Sequence, residues 1–337
     1  MASGSGDSYI AYLVVCWNNV DVISMCLEAI AAQTEAEHSV LVLDNNSSDG
    51  TAGHVKATHL ADSRVRLFRS GSNLGFAKGV NALIPHALAD PRVTHVALIN
   101  SDAILDPAWA AELMGGLADK QRVACAQGTT LDFDDRALID STHIYIRSDL
   151  QGAQYGYTEV FRPEHAWTRQ VFGVNAAAGL FSRAFIESQP GHQLFDSRFY
   201  MYLEDVDVAF RSTMEGWNNY YVPSARAYHM GSVSSSRRAS HYNYFMTWRN
   251  HTAVLVKNAP LRTIAAHLPR LLLAEYAFYR HMQVTGETEV FSNVSRGRLA
   301  GLARAPLYLG SRVQLWRRRR IDHAKLERFI AGDGMLG

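Results

Sequence analysis

Cysteine is scarce in this chain of 337 residues: only Cys16, Cys26 and Cys125 occur, with no Cys-x-x-Cys spacing. That excludes a disulfide framework and a thiolate zinc site, and it predicts a protein held in a reducing cytoplasm. Long apolar runs are missing as well. No stretch reaches the roughly 20 residues of a membrane span, and Met1 to Asp7 lacks the apolar core of a secretion signal. Met1 to Gly6 reads as a flexible leader outside the fold. There is no Gly-x-Gly-x-x-Gly fingerprint and no P-loop. Nor is there a large excess of one charge: the formal net charge is +1, which predicts no nucleic-acid partner.

That balance hides an asymmetry. From Lys257 onward the chain carries 14 Lys/Arg against 6 Asp/Glu, whereas the preceding residues carry 19 against 26. An acidic body with a basic tail predicts an anionic surface as the partner of the tail.

What is present is a hydrophobic content of 47%, enough to bury a large core. Tyr9 to Cys16, Ser39 to Leu43, Val65 to Arg69 and Thr94 to Ile99 read as strands, and Val20 to Gln33, Thr51 to Thr58 and Ala77 to Leu88 as helices. This alternation predicts an α/β fold, a mostly parallel sheet flanked by helices. Residues 127–198 are less regular and suit a pocket wall. Tyr200 to Glu215 reads as a helix, and Asn219 to Val222 as a strand stopped by Pro223. Beyond His241 the pattern is helical, over Leu261 to Met282 and Arg296 to Phe329, with Arg317-Arg318-Arg319-Arg320 directly after Trp316. Aromatic and basic residues interleaved on amphipathic helices suit a membrane interface; the alternative is an appendage with a solvated arginine face. The expected division is an α/β domain over 8–240, in two parts that meet near 125, then a helical extension over 241–337.

Four segments carry chemistry. Asn100-Ser101-Asp102 follows the fourth strand, delivering an acid to the edge of the sheet where ligands of open α/β folds sit. Asp44 to Thr51 follows the second strand as a tight polar turn in which Asp49 or Thr51 caps the next helix. Asn73 to Asn81 opens the third helix, where Gly75 lets the backbone approach a ligand and the helix N-terminus and Lys78 favour an anion. Glu204, Asp205 and Asp207 crowd three acids together: Glu204 and Asp207 share a helix face while Asp205 points elsewhere. A purely structural role for such a cluster needs compensating partners, and a pocket-lining carboxylate can serve as general base. His229 lies just beyond the strand at Asn219 to Val222.

Taken in order, these segments resemble the family 2 glycosyltransferases of GT-A fold, rhamnosyltransferase-like branch. The matching residues run from Val14-Val15-Cys16-Trp17-Asn18 through the Asp44 turn, Asn73 to Asn81, Asn100 to Asp102, Gly173 to Arg183, Phe195 to Arg211, Gly216-Trp217 and His229 to Arg249-Asn250. The resemblance implies inverting transfer from a nucleotide-diphosphate sugar, foremost deoxythymidine-diphosphate rhamnose, with a uridine-diphosphate hexose or galactofuranose as alternatives. The acceptor it implies is a hydroxyl of a lipid-linked or cell-surface glycan. By resemblance Asp44 reads the pyrimidine, and Cys16, Trp17, Asn18, Asn46, Asn73, Gly75, Phe76, Lys78, Asn81, Asn100 and Ser101 line the nucleotide sugar. Asp102 and His229 hold a divalent metal, Mn²⁺ or Mg²⁺. Asp205 is the catalytic base with Glu204 beside it, and Ala177, Trp217 and Arg249 belong to the acceptor pocket.

The sequence departs from the family's Asp-x-Asp metal motif in one place: its first acid is Asn100. Asn brings no charge, so metal affinity without nucleotide is expected to be weak. The expected location is the cytoplasm, peripheral at the inner face of the plasma membrane, and a homo-oligomer is compatible with the chain. Two other classes fit less well. A sugar-nucleotide nucleotidyltransferase would carry a Gly-rich basic loop where Trp17-Asn18-Asn19-Val20 stands, and a non-catalytic binding module would bind nucleotide sugar without turnover.

Overall fold

Tyr-Ile-Ala-Tyr-Leu-Val-Val-Cys, apolar at nearly every position, is the pattern of a strand covered on both faces. In the computed structural model, which describes residues 8–34, 37–231, 240–331 and 335–336, it forms β1 (Tyr9–Cys16). Next come α1 (Ile23–Ala31), β2 (Glu37–Asp44), α2 (Thr51–Thr58), β3 (Val65–Arg69), α3 (Phe76–Leu88), β4 (Val93–Ile99), β5 (Ala103–Leu105) and α4 (Trp109–Leu117). The middle contains β6 (Val123–Asp132), β7 (Ile139–Ser141), β8 (Ile144–Ile146), β9 (Gly152–Gln154), β10 (Arg169–Val171), β11 (Ala178–Ser182) and α5 (Arg183–Ser188). After them come α6 (Glu204–Met214), β12 (Asn218–His229), α7 (Ser240–Asn258), α8 (Leu261–Thr285), α9 (Thr288–Arg304), α10 (Leu309–Arg318), α11 (His323–Ala331) and β13 (Met335–Leu336). The leader at Met1 to Gly6 lies outside the described residues.

The central sheet runs β13-β10-β12-β6-β11-β4-β1-β2-β3. Its first-half block, β4-β1-β2-β3, is parallel, as the strand–helix alternation predicts. Beyond β4 the sheet is mixed: β11 enters antiparallel between β4 and β6, while β12 is parallel to β6. Two cores cover the faces. One gathers Ile23 and Leu27 of α1 with Trp109 and Leu113 of α4; the other gathers Val80, Leu83 and Ile84 of α3 with Phe181 and Phe185.

Two boundaries differ from those read in the sequence. The helix expected from Tyr200 starts only at Glu204, because Tyr200, Tyr202 and Leu203 have φ of 67°, 69° and 62°, a left-handed backbone that cannot continue a right-handed helix. The strand expected to stop at Pro223 continues to His229. Its register with β6 shifts between Tyr221 and Arg226, and Pro223 falls inside that irregular stretch, where a missing N–H is tolerated.

The C-terminal helices are bolted to the α/β part. A third core joins Val206 and Phe210 of α6 to Val254 of α7, Tyr308 and Phe329. Buried Asp207 accepts from Lys257 Nζ, Arg211 Nε and Asn258 Nδ2 at 2.9, 2.9 and 2.8 Å, and Lys257 also reaches Asp196 at 2.9 Å. These are the compensating partners that a structural acid requires, and they separate Asp207 in role from Glu204 and Asp205.

Candidate functional site

The site assembles at the carboxyl ends of β1, β2, β4 and β12. Asp44 ends β2 fully buried, and its Oδ2 accepts no hydrogen bond from a described residue. The Ser47 N–H approaches Oδ1 at 3.4 Å, and Arg69 Nε stands 3.6 Å from Oδ2. An orphaned buried carboxylate oxygen is costly unless a ligand donor meets it. The turn after it is tied back to β1: Asn18 Oδ1 accepts from Ser48 N at 2.8 Å, and the Asn18 N–H donates to Ser47 Oγ at 2.9 Å. Neither Asp49 nor Thr51 is the N-cap of α2: that position is Gly50, and Asp49 before it accepts from the Thr51 N–H at 3.0 Å. Asn18 and exposed Asn46 sit at positive φ, 55° and 66°, a conformation Asn tolerates better than most residues. Trp17 is half-buried in the same turn.

Three expectations for this region need correcting. Cys16 points into the core, its thiol bonding to the Leu43 carbonyl and pushed up to about 12 by burial and then by Asp44 and Asp49, so its side chain is no part of a nucleotide wall. Gly75 is required because a Cβ there would stand 2.4 Å from the Tyr200 ring; the space it leaves is filled by protein rather than left for a ligand. Asn81 spends its amide on the Phe195 backbone, donating to O at 2.7 Å and accepting from N at 3.1 Å. Lys78 is exposed on the first turn of α3, and half-buried Phe76 packs its ring 5.8 Å from that of Phe195. Asn73 remains at the edge, where its Oδ1 accepts from the Gly75 N–H and the Tyr200 hydroxyl at 2.9 and 3.2 Å. Its orienter is Asn45, which donates to it at 3.1 Å and accepts from the Leu74 N–H at 2.8 Å. Asn45 lay in the quoted turn without a role.

Strand pairing, not sequence proximity, brings Asp102 to His229. β5 runs antiparallel to β12 with Ala103 opposite His229, so Asp102 Oδ1 lies 3.3 Å from His229 Nε2. Asn100 Nδ2 lies 3.3 Å from the same nitrogen, and the Ser101 hydroxyl donates to Asn19 Oδ1 at 3.0 Å. The other ring nitrogen, Nδ1, lies 3.2 Å from Asp140 Oδ2, an acid carried by β7 and unread in the sequence. Burial opposes charge on this imidazole, but the two carboxylates outweigh it and raise His229 to about 10.

Among the described residues no three His, Cys, Asp or Glu side chains converge on one position. A divalent cation would take the place of the proton on His229 Nε2, and the donor set then fits it: a carboxylate and an imidazole nitrogen side by side, with a second carboxylate on the far ring nitrogen to fix the tautomer. With Asn100 in place of an acid, the described residues supply only these two ligands, and oxygens from outside the chain would have to fill the remaining positions.

Asp205 opens α6. Its Oδ1 accepts from the Val206 N–H at 2.8 Å, and burial pushes its carboxyl up to about 6 against the bonds from Val206 and Ala176 N–H. Ala177, next to Ala176, accepts from the Asn100 N–H at 2.8 Å. The acid and the Asn100-Ser101-Asp102 edge therefore hang on consecutive residues. Glu204 is buried with Oε2 unbonded, and burial, then Asp205, raises it to about 8. Burial raises both carboxyls above their ordinary values, and two carboxyls this close oppose each other's ionisation.

Two residues expected in the acceptor pocket stand elsewhere in role. Trp217 precedes β12 and packs its ring on Phe185 at 5.7 Å; it lies at the opposite end of that strand from His229, the length of the strand away. Arg249 donates to the Phe199 carbonyl at 2.6 Å, and buried Asn250 donates to the carbonyls of Phe199, Met201 and Tyr202 at 3.0, 2.8 and 2.7 Å. Together they hold the left-handed loop that delivers Glu204 and Asp205. The sequence alone marks no role for Asn250; its burial and three carbonyl partners arise only once α7 packs.

A family model described as Glycosyl transferase family 2 matches residues 12–186. The N-acetylglucosaminyl-diphospho-decaprenol L-rhamnosyltransferase of Mycobacterium tuberculosis (strain ATCC 25618 / H37Rv) is 30% identical over 235 residues, which cover 64% of this chain and 74% of that protein. Two solved structures share the fold at low identity. GalNAc-T7 with UDP, GalNAc and Mn²⁺ superposes with a TM-score of 0.60 at 11% identity over 75% of this chain, spanning 48% of that one. The mannosyltransferase PcManGT from Pyrobaculum calidifontis with GDP-Man and Mn²⁺ superposes with a TM-score of 0.54 at 15% identity, over 93% of this chain and 86% of that one.

Proposed function

The chain belongs to glycosyl transferase family 2, and from that membership and the site geometry we propose inverting transfer of L-rhamnose from deoxythymidine-diphosphate rhamnose to a hydroxyl of a lipid-linked glycan. The observation that carries this reading is the pair of backbone contacts at Ala176 and Ala177, which tie Asp205, its carboxyl raised to about 6 by burial, to the edge bearing Asp102 and His229. The relative's printed name supplies sugar and acceptor class: L-rhamnose, and a saccharide on a polyprenyl diphosphate.

In this reading the orphaned Asp44 Oδ2 accepts the imide N–H of the pyrimidine, a contact that thymine and uracil offer equally. The acceptor hydroxyl passes its proton to Asp205 while its oxygen attacks the anomeric carbon. The bond from that carbon to the diphosphate breaks on the opposite face, through a transition state with oxocarbenium character. Asp102 and His229 would hold a divalent cation, which when bound supplies positive charge to the departing diphosphate. A mixed carboxylate–imidazole pair suits Mn²⁺ better than Mg²⁺.

The extension supports docking on an anionic membrane surface, where a polyprenyl acceptor would reside. Leu272, Leu273 and Tyr276 of α8 are 59%, 66% and 61% exposed, and Arg262, Arg270 and Arg280 lie along the same helix. Among the described residues no helix is long and apolar enough to cross a membrane, so the reading is of a surface-bound enzyme. The three free, buried cysteines suit the cytoplasmic face.

A transfer assay tests the donor. With Mn²⁺ and a short polyprenyl-diphosphate-linked N-acetylglucosamine acceptor, deoxythymidine-diphosphate rhamnose should give a product of inverted anomeric configuration. Uridine-diphosphate glucose or galactofuranose should turn over far more slowly. Turnover of a uridine donor alone would transfer the assignment to that sugar.

The orienting role of Asp140 has its own test. Asp140→Asn should weaken Mn²⁺ binding in the presence of thymidine diphosphate by about 10–100-fold, read by electron paramagnetic resonance titration. An unchanged affinity would leave Asp140 without influence on the His229 imidazole.

A further inference from the structure

A second basic cleft of about 400 Å³ opens at the sheet edge opposite the active site, lined by Arg122, Trp217 and Arg317 to Arg320. Its walls are fixed by the fold. Arg122, at a φ of 51° before β6, donates to the carbonyls of Gly216 and Glu215 at 3.0 and 3.3 Å and stacks its guanidinium 4.7 Å from the Trp217 ring. The Arg320 N–H donates to the Met214 carbonyl at 2.8 Å, pinning the arginine run to the end of α6. Arg319 lies 5.0 Å from the Trp316 ring.

The charges of this cleft do not cancel. Glu215 is its sole carboxylate, and that group is already bonded by Arg318 and Gln189, each at 3.0 Å. Among the described residues Arg317, Arg319 and Arg320 pair with no acid. Several guanidiniums held together by their own backbone repel one another unless an anion joins them, and the guanidinium fork matches phosphate oxygens. The surface leading to the cleft is apolar: on α10, Leu309 and Val313 are 52% and 51% exposed, and Arg317 follows at the same four-residue spacing, on one helix face.

We propose that this cleft binds the phosphate of an anionic phospholipid headgroup, giving the docked enzyme a charge-reading contact in addition to its apolar one. The lipid source rests on the membrane-docking reading above; the cleft's appetite for phosphate does not. It also gives Trp217 an occupation, as the platform that orients Arg122 rather than as a wall of the acceptor pocket.

Co-sedimentation of the full chain with vesicles tests this. Phosphatidylcholine vesicles read the apolar face alone, and replacing one third of the lipid by phosphatidylglycerol reads the cleft. The double variant Arg319→Gln/Arg320→Gln, exposed residues whose loss should leave the melting temperature unchanged, should lower the phosphatidylglycerol-dependent affinity about 10–30-fold without altering binding to phosphatidylcholine. Lys56→Gln/Arg66→Gln, an equal loss of charge far from the cleft, should change it little. Equal losses in both variants, or no gain from phosphatidylglycerol in the native chain, would overturn the proposal. So would calorimetric uptake of pyrophosphate by the cleft with no phosphatidylglycerol gain, which would make it a site for soluble phosphate. Failure of binding to both vesicle types would instead defeat the docking reading itself. Transfer to a short, soluble acceptor is read separately and should persist in the double variant.

Discussion

Asp205→Asn should reduce transfer by about 10²–10⁴-fold in kcat while leaving the affinity for thymidine diphosphate nearly unchanged. The substitution keeps the shape of the side chain and one acceptor oxygen for the Val206 N–H, which bonds Asp205 at 2.8 Å, so the α6 terminus has no reason to move. What it removes is the ability to take a proton. The proposed base is poised by burial: among the described residues no cation bonds it, and its carboxyl is lifted to about 6 with N–H donors from Val206 and Ala176 restraining the rise. A base must be ionised to work, so native kcat/KM should climb as pH rises through about 6 and level off above it, and the variant should lack that limb. Glu204 stays protonated over this range because burial and Asp205 hold it near 8, so a second ionisation should enter only on the alkaline side. Steady-state kinetics across pH, with calorimetry for the nucleotide, separate the outcomes. A variant that retained its kcat would remove Asp205 as the base, and one that lost nucleotide affinity in step would make it a positioning residue.

What the sequence revealed was whatever local pattern determines. The apolar runs located β1 to β4, and the residues just past them, Asp44 and Asn100 to Asp102, fall at the ligand edge because parallel strands share a direction. Tertiary pairing was not legible. Asp140 meets His229 only because β7 folds back on β6, which lies beside β12; nothing local marks that acid among its neighbours. Trp217 shows the reverse error. It stands twelve residues after Asp205 and looks adjacent to it, but the 11-residue α6 between them is about 16 Å long at 1.5 Å per residue and carries the chain to the far edge of the sheet. Cys16 was misread because β1 is buried on both faces, so alternation gives no clue to which strand-end side chain turns outward.

Asp207→Ala should destabilise the protein by about 3–5 kcal/mol, the usual result of leaving buried cations without their acid. Arg211 and Lys257 are only 9% and 5% exposed at their side chains, and Asp207 bonds both. Arg211 also donates to Gln189 and to the Leu194 carbonyl, and Asn258 donates to Asp207, so loss of the acid strands three donors on two helices, α6 and α7. Burial alone would raise the Asp207 carboxyl, but Lys257 and Arg211 outweigh it and hold the group below its ordinary value. A depressed carboxyl stabilises the fold above the unfolded pKa, about 3.9, and loses that contribution as pH falls through the folded value. The stability gap between native and variant should accordingly be full at neutral pH and narrow below about pH 4. Chemical denaturation at several pH values checks both the size and the slope. Asp207→Leu/Lys257→Met, removing both charges, should cost less than the sum of its single variants, because the penalty lies in the unpaired charge more than in the lost bond. The same network explains why the extension cannot simply be cut away to test membrane docking. Truncation after Lys257 would remove Asn258, and with it Arg318 of α10, which bonds Glu215 at 3.0 Å, so loss of vesicle binding by such a fragment would report unfolding as readily as a missing surface.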